Sequence, residues 1–204
     1  MERSNDIVRL CGTLAERPVW SHDGKDGAYY KFPLEVVRLS GTADTLNILV
    51  SEKMMERTEL SEGSRILITG ELRSFNNRSG VGPKLVLTVL ARSIEFTEGR
   101  PENSVFLSGT ICKEPNFRET PMGREICDIM LAVNRRYGRS DYIPCIIWGA
   151  LAELAAQWQV GDRVDIWGRM QSRAYIKNDE TGSVQKTAYE VSAAEVVKRT
   201  ETPE

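Results

Sequence analysis

The chain has 204 residues, 41% of them hydrophobic, and its 27 lysines and arginines nearly balance its 29 aspartates and glutamates. This length suits two small domains that each bury a modest core. The lack of a basic excess argues against a polybasic binder but is compatible with a local basic groove. We expect a cytoplasmic protein with no membrane association, because no apolar run of membrane-spanning length and no signal-peptide pattern occur.

The residue types that usually carry chemistry are few and scattered. Cys11, Cys112, Cys127 and Cys145 stand singly within apolar patterns, which indicates buried, reduced thiols. His22 is the only histidine, and we expect it in a polar loop. No glycine-rich phosphate loop, metal-ligand spacing or nucleophile–base pair is present, so we expect no enzyme, no cofactor and no metal site.

The chain contains an internal repeat of about one hundred residues. The segment Gly12–Trp20 returns 97 positions later as Gly109–Phe117, with glycine, threonine, an aliphatic residue, proline and an aromatic residue at the same spacing. The offset then increases slowly along the chain, which is the effect expected from insertions in the loops of copy two. The later matches are Gly63–Gly70 with Gly161–Gly168, and Val89 with Val191. A period of this length indicates a duplicated domain rather than a solenoid. We call residues 1–99 copy one and residues 103–199 copy two.

The pattern of copy two predicts strands, one helix and further strands in chain order. Alternating segments predict strands, and leucine, alanine and tryptophan at helical spacing predict the helix. The strands are Ser104–Ile111, Glu125–Val133, Tyr142–Trp148, Arg163–Gly168 and Glu190–Val197, and the helix is Ala150–Trp158. Copy one follows the same order, with a weaker helix over Ser51–Thr58. This order predicts an all-β protein of two tandem OB-folds, each a five-stranded Greek-key barrel with a short helix between strands three and four.

Glycines recur at matched places in the strand patterns of both copies. The four are Gly12, Gly70, Gly109 and Gly168. We expect sharp bends or bulges of the barrel at these positions.

Copy two also resembles a known family. The residues that carry the resemblance are Asn103–Ile111, Pro115, Tyr142–Ala155 and Gly161–Met170, which match in order the bacterial single-stranded DNA-binding proteins. Copy one resembles that family more faintly. The resemblance implies binding of single-stranded DNA in replication, recombination or repair, and a nucleoid-associated location. It also implies four OB-folds per assembly, which a homodimer of this chain would supply.

Sequence-tolerant binding of single strands requires aromatic faces for the bases and cations for the phosphates. The resemblance assigns four stacking positions in copy two to Tyr137, Tyr142, Trp148 and Tyr175. A buried core ring is an alternative for Trp148. We assign Trp158 and Trp167 to packing instead.

Basic residues cluster near the expected stacking positions. Seven basic residues stand against four acidic ones between residues 134 and 177. We expect phosphate contacts from Arg135, Arg136, Arg139, Arg173 and Lys177. An ordinary solvated loop surface is the alternative for each cluster.

Copy one lacks the stacking set. Thr45 stands where copy two has Tyr142, and Ser51 where it has Trp148. We expect copy one to be chiefly architectural, or to guide the strand with fewer stacks, and copy two to carry the main binding surface. A secondary set in copy one is Arg73, Phe75, Arg78 and Lys84.

Other functions remain open at this stage. The family's acidic tail is absent from this chain, so we do not expect replication or repair partners to be recruited through one. The alternatives are a primosome-type or plasmid-borne OB-fold protein acting mainly through protein contacts, and an RNA-preferring OB-fold module.

Overall fold

The computed structural model describes residues 4–77, 85–135, 138–179 and 182–199, except for the side chains of residues 176–179, 182, 184 and 185. The elements of copy one are β1 (Asp6–Leu14), β2 (Val19–Gly24), β3 (Gly27–Val37), β4 (Ala43–Ser51), α1 (Glu52–Met55), β5 (Arg65–Asn76) and β6 (Leu85–Phe96). Those of copy two are β7 (Glu102–Ile111), β8 (Asn116–Glu119), β9 (Glu125–Asn134), β10 (Ser140–Trp148), α2 (Ala150–Ala155), β11 (Arg163–Asp179) and β12 (Gly182–Lys198).

Within the described ranges the strands form one sheet of twelve, in the order β2-β3-β4-β6-β5-β1-β7-β11-β12-β10-β9-β8. Each copy closes into a barrel because its first strand has partners on two sides. Strand β1 pairs with β3 and β5, and β7 pairs with β9 and β11. Strands β2 and β8 extend β3 and β9 at the two ends of the sheet. The predicted all-β architecture of two OB-folds is confirmed.

The strand registers reproduce the sequence repeat. Thr13 pairs with Glu35 in copy one, and Thr110 pairs with Ala132 in copy two. Both members of the second pair lie 97 positions after those of the first. The parallel pairing of β4 with β6 matches that of β10 with β12. The two barrels therefore share strand order and register, and matched residues occupy equivalent places in the two copies.

The matched glycines lie where neighbouring strands approach too closely for a side chain. A Cβ atom at Gly70 would lie 2.4 Å from the carbonyl oxygen of Leu90, and one at Gly168 would lie 2.2 Å from that of Ser192. A register shift typical of a β-bulge occurs next to each of these two glycines. An irregularity is therefore present at two of the four expected positions, Gly70 and Gly168, while the lack of space for a side chain is common to all four.

Several local predictions were wrong in detail. His22 does not lie in a loop but in β2, where a register shift between Trp20 and His22 interrupts the alternation that would have indicated a strand. The helix predicted over Ala150–Trp158 ends at Ala155, because a turn follows in which the Trp158 amide bonds to the Ala155 carbonyl. The helix of copy one is likewise only one turn, over Glu52–Met55.

The two tryptophans assigned to packing differ. Trp158 is buried in the core, as predicted. Trp167 is 38% exposed on the outer side of β11, and its ring lies 5.1 Å from that of Phe106. Trp167 therefore packs against Phe106 on the outer surface and not in the core, because β11 directs Val164 and Ile166 inward and Trp167 outward.

The two barrels join edge to edge. Strand β1 pairs antiparallel with β7, from Asp6 opposite Leu107 to Cys11 opposite Glu102. The hydrophobic core extends through both copies, with Leu10, Leu107 and their neighbours fully buried. In the described part of the chain, no helix is long and apolar enough to cross a membrane.

Candidate nucleic-acid interface

The outer surface of β10, β12 and β11 carries three of the four aromatic residues predicted in copy two. Side chains two apart on a strand share a face, so Tyr142 and Trp148 point the same way from β10. Ile146 between them pairs with Ser192 of β12, which in turn pairs with Arg169 of β11. Further along β11 on the same face lie Arg173 and Tyr175. We call this surface, defined by Tyr142, Trp148, Ser192, Arg173 and Tyr175, the copy-two face.

Trp148 is held at one end of the copy-two face. Its indole N–H donates to the Ser192 hydroxyl at 3.1 Å, so one edge of the ring is fixed to β12. The side chain remains partly exposed and is absent from the buried core. This excludes the alternative of a buried core ring and leaves a positioned aromatic surface at the end of β10.

The other described aromatics of the copy-two face are accessible. Tyr142 is 50% exposed. The guanidinium of Arg173 lies 5.9 Å from the centre of the Tyr175 ring, within the range of a cation–π contact. The Arg173 side chain is 54% exposed, so its charge remains available to a ligand. A cation and a ring thus lie side by side on β11, the arrangement in which the cation can contact a phosphate and the ring can stack on the neighbouring base of a single strand.

A buried carboxylate supports this part of the face. Glu190 of β12 is 8% exposed and accepts a hydrogen bond from the Gln171 amide at 2.7 Å. Its Oε1 also lies 3.6 Å from Nε of Arg173. Glu190 therefore holds two side chains of β11 in place. Glu190 is two positions from Ser192, so the alternation of β12 was the signal that could have placed it on this face.

Arg135, predicted to contact phosphate, is engaged within the chain. Its Nε donates to Asp141 Oδ2 at 2.5 Å, and Asp141 is 1% exposed. Asp141 Oδ1 also accepts from the backbone N–H of Ser74 in copy one at 2.6 Å, and the Tyr142 amide donates to the Ser74 hydroxyl at 2.7 Å. Arg135, Asp141 and Ser74 form what we call clasp two, which ties β10 to β5 across the joint.

The repeat equivalents of these residues form a second contact, which we call clasp one. Arg38 donates to Asp44 at 2.6 Å, and Asp44, fully buried, accepts from the backbone N–H of Ser172 in copy two at 2.8 Å. Burial raises the pKa of Asp44, but the hydrogen bonds from Arg38 and from Ser172 outweigh it, and the pKa lies below its ordinary value. Sequence reasoning missed both clasps, although an arginine and an aspartate repeated at one offset were a signal for shared structure.

Arg73 of the predicted secondary set is also surrounded by carboxylates. It pairs with Glu71, and its Nη1 lies 3.5 Å from both Asp6 and Asp141. Its side chain is 16% exposed. Arg73 would have to leave these partners to reach a phosphate.

The remaining predicted residues divide by their place in the chain. Arg139 is exposed, and within the described residues no carboxylate pairs with it. Phe75 is 52% exposed at the end of β5. Arg136, Tyr137, Arg78 and Lys84 lie outside the described residues, as does the side chain of Lys177.

The fold and this surface define a class: a tandem OB-fold protein with exposed aromatic rings and cations on the outside of a barrel. The sequence profile described as the single-strand binding protein family matches residues 102–198. Single-stranded DNA-binding protein B of Bacillus subtilis is 36% identical over 92 residues, which cover 42% of this chain and 80% of that protein. The chain belongs to the single-strand binding protein family.

Other relatives and a solved structure are similar to different extents. Single-stranded DNA-binding protein 2 of Listeria innocua is 36% identical over 84 residues, which cover 38% of this chain and 53% of that protein. The chain therefore spans about half the length of that relative. The crystal structure of wild-type single-stranded DNA binding protein from Thermus aquaticus is similar across both copies. It has a TM-score of 0.78 and 26% identity, and the match covers 100% of this chain and 97% of that one.

Proposed function

We propose that the chain binds single-stranded DNA on the copy-two face and performs no chemistry on it. The observation that carries this proposal is the convergence of Tyr142, Trp148 and Tyr175 on one outer face, with Arg173 beside them. Stacking on such rings contributes about 1–3 kcal/mol per base and tolerates any sequence. The protein would coat exposed strands in replication, recombination or repair inside the cell. Copy two is the main binding unit in this proposal.

The test is fluorescence titration with oligo-dT 30-mers of the wild type, Trp148→Ala and the matched control Trp148→Phe. We expect Trp148→Ala to weaken binding by about fivefold or more, and the phenylalanine variant to lose much less because it keeps a ring. Affinity should fall with salt, since phosphate contacts release counterions. Equal affinity in all three proteins, or tighter binding to a matched RNA oligomer, contradicts the proposal.

We further propose that the chain forms a homodimer through the outer face of the joint between the copies. Ile7, Phe106 and Trp167 are cross-strand neighbours on β1, β7 and β11 and form an apolar stripe across both copies. Ile7 is 39% and Trp167 38% exposed. A second copy packed on this stripe would cover it and bring four OB-folds together, and aromatic residues are enriched at such contacts.

Light scattering tests the dimer against the chain mass of 23.0 kDa. We expect twice that mass for the wild type, and the monomer mass for Trp167→Glu, because a carboxylate in the stripe would be buried without a partner. Leu39→Glu is the control, since Leu39 is fully exposed outside the stripe. A monomeric wild type, or a dimer that survives Trp167→Glu, refutes this interface.

A further inference from the structure

The hairpin of β2 and β3 in copy one carries Trp20, His22 and Tyr29, of which only Trp20 has an aromatic equivalent in copy two, Phe117. The rings of His22 and Tyr29 stack with centres 5.2 Å apart and planes 9° from parallel. Trp20, on the same hairpin, is 58% exposed, and its indole N–H donates to Asp23 at 3.4 Å. None of these rings contributes to the buried core. Their exposure therefore has no explanation in packing.

The stacked pair stands beside the place where copy one has lost a tryptophan. Tyr29 lies directly opposite Ser51, and Ser51 is the repeat equivalent of Trp148. In copy two, Trp148 lies opposite Ile126, the equivalent of Tyr29. Cross-strand neighbours share a face and have Cβ atoms about 5 Å apart. The aromatic ring has thus moved by one strand while staying on the same outer face of the barrel.

Other residues of this face add apolar surface and the cation of Lys31. Lys31, two positions after Tyr29 on the same face, is exposed and lies opposite Val19, which is 54% exposed. Phe75 lies at the far end of the same face, on β5. At the turn of the hairpin the charge is negative, because the Glu52 carboxylate accepts a hydrogen bond from the backbone N–H of Ala28 at 3.4 Å. Stacking rather than phosphate attraction would dominate binding here.

We propose that copy one binds a second segment of the same DNA strand by stacking bases on the Tyr29–His22 pair. This inference rests on the proposed function of copy two and replaces the expectation that copy one is chiefly architectural. One strand would pass from the copy-two face to the β2–β3 hairpin, so the full contact requires a longer oligonucleotide than either copy alone. Each OB-fold accommodates roughly 4–16 nucleotides.

Photocross-linking of the wild-type protein tests the location directly. A thymidine 30-mer containing 5-iododeoxyuridine is irradiated with the protein, and cross-linked peptides are mapped by mass spectrometry. We expect adducts on the segment 19–31 as well as on the copy-two face. Adducts confined to residues 103–199 overturn this inference and leave the proposed function standing. Absence of binding to the 30-mer overturns both.

Affinities of matched variants test the energetic contribution. We expect Tyr29→Ala to weaken 30-mer binding by about fivefold or more, with little change in the slope against salt, and Tyr29→Phe to bind nearly as the wild type does. A 10-mer should respond to Trp148→Ala and not to Tyr29→Ala. An unchanged 30-mer affinity in Tyr29→Ala overturns the inference. The cross-linking arm uses the wild type and so does not depend on how the variants fold.

Discussion

Asp6 supplies a prediction that follows from comparing the two copies. It is 7% exposed on β1, and its Oδ1 accepts from the backbone N–H of Leu72 at 3.0 Å. Among the described residues its Oδ2 has no hydrogen-bond partner, and the nearest cation is Arg73 at 3.5 Å. The repeat equivalent, Asn103, accepts from the Met170 amide at 2.9 Å and donates to the Met170 carbonyl at 2.8 Å. An amide fits this position better than a carboxylate.

The magnitude follows from the pKa of Asp6. Burial raises it to about 7 from an ordinary value of 3.8, although the Leu72 hydrogen bond and Arg73 act in the opposite direction. The unfolded chain therefore releases this proton near pH 4, while the folded chain keeps it until about pH 7. The contribution to stability is full below pH 4 and is lost as the pH rises to 7. The difference between the two pKa values corresponds to a loss on the order of 4 kcal/mol.

Urea denaturation of the wild type and Asp6→Asn from pH 4 to pH 8 measures this loss. We expect the variant to be the more stable protein at pH 8, by up to about 4 kcal/mol, and the advantage to shrink as the pH falls toward 4. Asn103→Asp, the reverse substitution at the equivalent position of copy two, is the control. It should lose stability at pH 8, because it gives up the donor to Met170, and recover part of it in acid. A stability difference between Asp6→Asn and wild type that does not change with pH refutes the reasoning.

Three further outcomes are expected. Gly168→Ala should lower the free energy of unfolding by about 1–3 kcal/mol in a denaturant melt, because its Cβ would lie 2.2 Å from the Ser192 carbonyl oxygen; an unchanged midpoint contradicts the close approach. Asp141→Ala should lose about 3–5 kcal/mol in the same assay, since it leaves a backbone N–H and an arginine of clasp two without their acceptor; a loss below 1 kcal/mol contradicts the clasp. Burial raises the pKa of Cys127 to about 11 and that of Cys145 still further, so maleimide at pH 8 should label these thiols only after unfolding; rapid labelling of the folded protein contradicts their burial.

The barrel could be predicted from the sequence because the alternation that marks each strand is a local pattern and recurs in both copies. Alternation located the strands, and the constant offset from Thr13/Thr110 to Ile48/Cys145 showed that both copies have the same elements in the same chain order. What the pattern hid were short edge strands. Strand β8 covers only Asn116–Glu119, all exposed, so no apolar alternation marks it. In β2 a register shift removes the alternation at His22.

The candidate site was harder to predict, because stacking and packing use the same residue types. Trp148 and Trp167 both follow apolar strand segments, and only the three-dimensional register distinguishes the ring bonded to Ser192 from the ring beside Phe106. Arg135 was assigned to phosphate because it stands in a basic cluster beside an expected stacking position. Its buried partner Asp141 lies six positions on, and the contact that explains it, with Ser74, comes from the other copy.

Comparing the two copies in the structure distinguishes residues of the joint from aromatic residues of the binding face. Arg38 and Arg135, each bonded to a buried aspartate, are kept in both copies, and both lie at the joint between barrels. The rings are not kept in place: Trp148 on β10 has its counterpart in Tyr29, one strand away. A joint between two barrels related by a two-fold axis can use the same contact on each side of that axis, as the two clasps do. A binding face needs only a ring somewhere on the right surface, because any base can stack on any ring within reach. Position-by-position comparison therefore points to the joint and overlooks the proposed binding face of copy one, which emerges only when rings on the same face of the two barrels are compared.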